Sequence, residues 1–327
     1  MKNKTTSLFF LATLLASSTG WATAPLLGEW ELLFNNDDGR AVALDVYHET
    51  PVVLDAKGHM YFVNKEIGKE SSGEWFGEVY ESWQRVPGGG EAKDISIDGD
   101  GVPWVVSINT NKIYHLDGPI EGDFSADDTH HSWLEYPGNA KAKRISVSKT
   151  DGTPYIIGAI SGRVFQGTGA GWTALSVKQL DSQGQDLGTA LNALDIFAEA
   201  YNTGDSESPD FRNLVFAINQ DKRVFLFVPE QDAWLELPGN ARATSVVASG
   251  KLVYIIGEDG KFYGLDLTSD KQWVPAGSGT GKDLAFSQVD IFQPFASQNG
   301  QRTPSSSHRH VWTIGDDGKI HRAFVAY

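Results

Sequence analysis

The sequence contains no cysteine. A chain without thiols has no disulfide framework and no thiolate nucleophile, so its stability rests on packing and on closure of its sheets. Positive charge is also scarce, with 27 Lys and Arg against 42 Asp and Glu and a net charge of −15. Such a surface repels phosphate backbones and argues against nucleic-acid binding. Beyond the first two dozen residues no apolar run is long enough to cross a bilayer as a helix. The nucleophile elbow G-x-S-x-G and the zinc-protease pattern H-E-x-x-H are both missing. Gly277–Lys282 is glycine-rich, but it joins strands rather than opening a helix, so it is not a phosphate loop. Asp98-Gly99-Asp100-Gly101 starts like a calcium loop, yet Asn109 stands where the late glutamate is required, and a turn is the better reading. Glu207 and Asp210 are near each other in a candidate loop, but nothing fixes their separation for acid–base work. No enzyme, cofactor or metal site is expected.

What the chain does have is glycine, proline and aromatics: 35 Gly, 13 Pro, 10 Trp, 10 Tyr and 17 Phe in 327 residues. This composition favours many short strands joined by tight turns over long helices. The N-terminus places Lys2 and Lys4 before the apolar stretch Leu8–Ala16 and small residues after it, the pattern of a secretory leader. Cleavage after Ala24 fits an A-x-A site, and cleavage after Ala22 avoids Pro25. Either way, losing Lys2 and Lys4 moves the net charge from −15 to −17. Residues 1–24 are therefore read as a signal peptide, with export to the periplasm or the exterior, and residues 25–327 as one domain.

That domain repeats. Ser82-Trp83-Gln84-Arg85-Val86-Pro87-Gly88 aligns with Ser132-Trp133-Leu134-Glu135-Tyr136-Pro137-Gly138 and with Ala233-Trp234-Leu235-Glu236-Leu237-Pro238-Gly239. Each is followed by a second phrase, Ala92–Ile97, Ala142–Val147 or Ala243–Val247. Weaker copies begin at Trp30, Trp172 and Trp273, so the six tryptophans are spaced by 53, 50, 39, 62 and 39 residues. A mean near 49 residues is the length of a propeller blade and exceeds leucine-rich or ankyrin units. Alternation and turn residues divide each unit into four short strands, here named A to D from the axis outward. The last unit stops after strand C at about Lys319–Val325, whereas Glu29–Leu33 precedes the first strand A. The expected fold is thus an all-β, six-bladed propeller of four-stranded antiparallel blades, its ring closed by an N-terminal strand that completes the last blade.

The phrase W-x-x-(V/L/Y)-P-G, followed by A-x-x-I-S-V and by Asp-Gly before an aromatic strand B, resembles the tectonin repeat. Asp100-Gly101-Val102-Pro103-Trp104 and Asp151-Gly152-Thr153-Pro154-Tyr155 carry the third element. The resemblance covers residues 28–327; blades two, three and five match well, while the first, fourth and sixth depart. It implies a propeller of the kind found in lectins for lipopolysaccharide or methylated glycans and in protein-interaction platforms. A glycan or a cell-envelope protein is the partner class it suggests, and a monomer is expected.

Propeller geometry turns insertions into positions. Loops A–B and C–D leave one face, here called upper, while B–C turns and D-to-A crossovers leave the other. The segments 64–81, 117–131, 198–212 and 293–309 are long and all belong to the upper face, which makes it the expected recognition surface. Trp75, Tyr80, His131, Tyr201, His308 and His310 are its candidate ligand-binding residues. The aromatic rings among them can stack on a sugar or can anchor their own loops. His130-His131 with Asp127 and Asp128, and His308-x-His310, have metal-ligand residue types but no second pair at a structural spacing, and read as polar loops. The alternative sites are repeated crevices between blades near Trp104, Tyr155 and Tyr254, where several weak contacts give avidity.

Overall fold

The computed structural model describes residues 26–28, 30–34, 40–47, 50–69, 75–86, 90–120, 132–202, 211–268, 272–291 and 306–326. The stretch read as a leader, residues 1–24, lies outside the described residues. Among the described residues, six sheets follow one another, antiparallel except for one pair in the fourth, with a single 3-10 turn at Pro229–Gln231. Blade one holds Ala41–Tyr47, Thr50–Asp55, Met60–Lys69 and Trp75–Arg85 as strands A to D. The second holds Ala92–Ile97, Pro103–Ser107, Ile113–Leu116 and Trp133–Glu135, and the third Ala142–Val147, Pro154–Gly158, Val164–Gly167 and Trp172–Ala174. In blade four the strands are Ala193–Asn202, Phe211–Asn219, Val224–Val228 and Ala233–Glu236. Blade five has Ala243–Ser249, Leu252–Gly257, Phe262–Asp266 and Val274–Pro275, and blade six has Gly281–Ile291, Ser306–Gly315 and Ile320–Ala326.

The missing outer strand of blade six comes from the N-terminus. Leu26–Leu27 pairs with Ala326 and Val325, and Glu31–Phe34 pairs with Arg322, His321 and Ile320, both antiparallel. Gly28 and Trp30 separate the two stretches; Trp30 turns inward and packs its ring 4.5 Å from Phe262 of blade five. The latch thus packs a half-buried tryptophan against the core as well as closing a sheet edge, in a chain without disulfides.

Three repeated devices explain why these phrases close into a ring. First, the residue opening each strand A (Ala41, Ala92, Ala142, Ala193, Ala243 or Gly281) donates its N–H to a B–C turn carbonyl of the preceding blade, at 2.8–3.3 Å. The acceptors are Gly318, Gly58, Asn111, Gly162, Lys222 and Gly260, all with φ between 59° and 81°. That left-handed conformation favours Gly and Asn, and a Cβ on Gly58 would fall 2.3 Å from the Ala92 carbonyl oxygen. Second, each strand A slips register once at its second residue, a bulge that re-aims the strand toward the axis. Third, side chains on strand A staple one blade to the next. Asp45 accepts the Ile97 N–H at 2.7 Å, Asp94 that of Ile145 at 2.6 Å, Ser146 that of Ala198 at 2.9 Å, Asp195 that of Val246 at 3.3 Å and Asp283 that of Leu44 at 3.1 Å. Ser245 donates its hydroxyl to Asp283 at 3.4 Å across the remaining junction.

Two expectations change. Three of the segments read as long upper loops are strand where they are described: Met60–Lys69 pairs with Trp75–Arg85, Ala193–Asn202 with Phe211–Asn219, and Gly281–Ile291 with Ser306–Gly315. Backbone polar groups that would otherwise need water find partners in the ladder, so pairing continues past the body of the blade. The turns of these hairpins, and residues 121–131, lie outside the described residues. The crossover from blade three to blade four also builds an unforeseen hairpin, Lys178–Leu180 with Asp186–Ala190. Its first strand pairs parallel with Ala233–Glu236, so blade four has six strands.

Candidate functional site: an open junction between blades one and two

Three junctions are filled by the same two positions. The fourth residue of the W-x-x-(V/L/Y) phrase meets the tryptophan of the next blade, so Tyr136 packs with Trp172, Leu175 with Trp234, and Leu237 with Trp273. Between blades two and three the fill is tight. The Tyr136 and Trp172 rings lie 4.9 Å apart, Trp104 lies 5.3 Å from Tyr136, and the Tyr136 hydroxyl accepts the Gly169 N–H at 2.7 Å. A Cβ on Gly167 would come within 2.8 Å of that hydroxyl, so the glycine makes room for the ring.

Between blades one and two the position of Tyr136 is taken by Val86, and that of Gly167 by Leu116. Bulk moves from the centre of the junction to its wall, and a cavity of about 460 Å³ opens. Its blade-one side is formed by Met60, Arg85 and Val86, and its blade-two side includes Val105, Tyr114 and Trp133. On the lower-face side it is lined by Glu91, Asn109 and Thr110, all exposed. The Asn109 amide donates to the Glu91 carboxylate at 3.2 Å on this exposed edge. Apolar and aromatic walls with a few oriented polar groups, at this volume, have the make-up of a small-ligand site.

The walls carry one further departure. In blades two and four the residue before Val86's counterpart is a glutamate that bonds the basic residue opening strand C: Glu135 with Lys112 at 2.8 Å and Glu236 with Arg223 at 3.1 Å. Blade one has Arg85 there, and the opening residue of strand C is His59, which turns to Asp55 at 3.2 Å. Among the described residues Arg85 forms no ion pair.

The axis carries charge that no single repeat announces. The third residue of strand A is Asp94, Arg144, Asp195 and Asp283 in blades two, three, four and six. Arg144 bonds Asp94 at 2.8 Å and Asp195 at 2.6 Å, with Asp283 at 3.9 Å. Burial drives the Asp94 carboxyl up to about 6 and the Asp283 carboxyl up to about 7, the Arg144 charge countering only in part. One guanidinium serves three carboxylates, so two of them take up protons more readily than free aspartate. Above them Lys149 reaches across the ring to Asp45 at 3.1 Å and to the Phe286 carbonyl at 2.9 Å. Burial also raises Glu199, near Lys149, to about 7. The axial cavity, about 50 Å³, suits water rather than an organic ligand.

The residues proposed from sequence fall into two groups. Trp75, Tyr80, Tyr201 and His308 are strand residues, paired with Lys69, Lys65, Arg212 and Val289, and their side chains lie outside the description. His131 lies outside the described residues. His310 is placed in strand B of blade six, 3% exposed, with its ring 4.2 Å from Phe324, rather than on an open loop. Trp104, Tyr155 and Tyr254 are 7%, 3% and 1% exposed. Trp104 donates its indole N–H to Asp98 at 3.1 Å and stacks on His115. These rings fill blade interfaces, because alternation turns them inward, and the open junction beside them was not anticipated. Its signal was present in the aligned phrases, where Val86 and Arg85 stand against Tyr136 and Glu135. No helix among the described residues is long and apolar enough to cross a membrane.

No family model matches the chain, and no curated protein does. Solved structures do. YCF48 bound to D1 peptide is similar at 11% identity and a TM-score of 0.47, over 91% of this chain and 81% of that one. The WD40 beta propeller domain of Doa1 follows at 12% and 0.48, over 92% and 98%. A streptogramin B lyase is similar at 11% and 0.47, over 94% and 90%.

Proposed function

We propose that this protein is an exported, non-enzymatic carbohydrate-binding module, lectin-like in its action, which holds a surface glycan in the junction between blades one and two. The observation that carries this reading is the cavity of about 460 Å³ where Val86 replaces the ring that closes the next junction. Trp133 and Tyr114 offer aromatic faces for the C–H patches of a sugar, and Glu91, Asn109 and Thr110 offer acceptors and donors for its hydroxyls. Export rests on the leader pattern of residues 1–24. Tyr136, Leu175 and Leu237 fill three other junctions, so one larger pocket replaces a set of equivalent shallow sites in this reading.

The test is a glycan array with the mature protein, repeated with Trp133→Ala. Saturable sugar binding that the substitution abolishes supports the reading. A second reading, a protein-interaction scaffold of the cell envelope, draws on the three hairpins that extend on the upper face. Silence on the array, together with co-purification of one envelope protein that hairpin truncation releases, favours the scaffold.

A further inference from the structure

Resting on the reading that the open junction binds a saccharide, we propose that its ligand carries a carboxylate, and that Arg85 recognises the acid while Trp133 and Tyr114 hold the ring.

Two departures from the repeat coincide in one wall. Val86 opens the space, and the residue before it reverses the sign that blades two and four place there. In those blades the glutamate is consumed by a cation of its own blade. In blade one the cation stands alone: His59 is engaged by Asp55, and Arg85 lines the cavity without an ion pair among the described residues. A guanidinium offers a planar fork of donors that matches a carboxylate in two parallel hydrogen bonds. On a chain of net charge −15, an exposed arginine in the wall of an aromatic pocket is a local exception to the field around it. It admits an anionic group at one place and leaves the rest of the surface repulsive. The polar lower edge completes the match. Glu91, bonded by the Asn109 amide, accepts hydrogens from hydroxyls and repels an acid, so the acid group is directed toward Arg85 and the hydroxyls toward Glu91. A sugar acid of the uronide type presents both.

The experiment titrates the mature protein with methyl glucuronide and with methyl glucoside, followed by ligand-observed NMR at low and high salt. The glucuronide is expected to bind about tenfold more tightly, the scale of one charge-assisted hydrogen-bonded pair. Added salt reduces that preference. Arg85→Ala removes the preference while weak glucoside binding persists, and Arg85→Lys restores part of it. The melting temperature stays put, because Arg85 is exposed. Equal binding of the two sugars, or a preference unchanged in Arg85→Ala, overturns the carboxylate proposal and leaves the saccharide reading standing. Failure of both sugars to bind, with a response to an acetylated tripeptide acid instead, overturns the proposal and the saccharide reading together.

Discussion

The junction between blades two and three and the junction between blades one and two are built from the same phrase, yet one is closed and the other open. In the first, Tyr136 fills the centre against Trp172, and Gly167 yields space to its hydroxyl. In the second, Val86 and Leu116 exchange those sizes and leave a cavity beside Trp133. Total bulk changes little, but its position decides whether the half-buried tryptophan of the following blade meets a ring or a cavity. A repeat protein can therefore turn one of its structural interfaces into a binding site with two substitutions that leave the ring's backbone bonds intact.

The largest expected effect compares the two tryptophans. Trp172→Ala removes a packed ring and should cost about 3–5 kcal/mol, seen as a large loss in the midpoint of denaturant unfolding. Trp133→Ala already faces a cavity and should cost less than half as much, while abolishing ligand binding. Equal losses would erase the distinction between the two junctions.

Next comes acidity, which acts on the closed junction through Asp94 and on the ring seam through Asp283. Both carboxyls are raised above the ordinary aspartate value, to about 6 and about 7. The folded chain therefore binds protons more tightly than the unfolded chain, and stability present below pH ~4 is lost as pH rises through 6 and 7. Unfolding measured at pH 5 and pH 8 should differ by about 1–3 kcal/mol in favour of pH 5, and Asp283→Asn should flatten the upper part of that slope. A protein more stable at pH 8 would contradict the axial assignment.

Filling the open junction is a subtler change. Val86→Tyr should abolish sugar binding while shifting stability by only about 1 kcal/mol in either direction, since Leu116 occupies the place that Gly167 vacates for Tyr136. Calorimetry and binding on the same variant separate the two effects. The smallest effect is expected at the ion pair that blade one lacks. Glu135→Ala breaks the exposed Lys112 pair and should cost within about 0.5 kcal/mol, so a larger loss in thermal melts would mean that pair is structural.

The number of blades, their order, the strands of blades two, three and five and the closing strand could all be read from the chain. They depend on local periodicity, on turn residues and on counting strands at the two ends. Asp316-Asp317-Gly318 announces a turn because Gly318 takes a φ of 80°, and that requirement is local. The described ends of the upper segments read as loop yet pair as strand, because that pairing is won from partners across the ladder rather than from local alternation. Trp104, Tyr155 and Tyr254 were candidates by residue type, but only burial distinguishes a ring that fills an interface from one that faces a ligand. The open junction and the axial cluster belong to the tertiary structure alone. Val86 and Trp133 are 47 residues apart, and Arg144 meets Asp94 and Asp195 across 50 and 51. No propensity or period acts over such separations. Only the closed ring brings equivalent positions of successive blades into contact, so the sequence determined the units and the ring, and the packing of unlike residues at like positions decided where the ring is open.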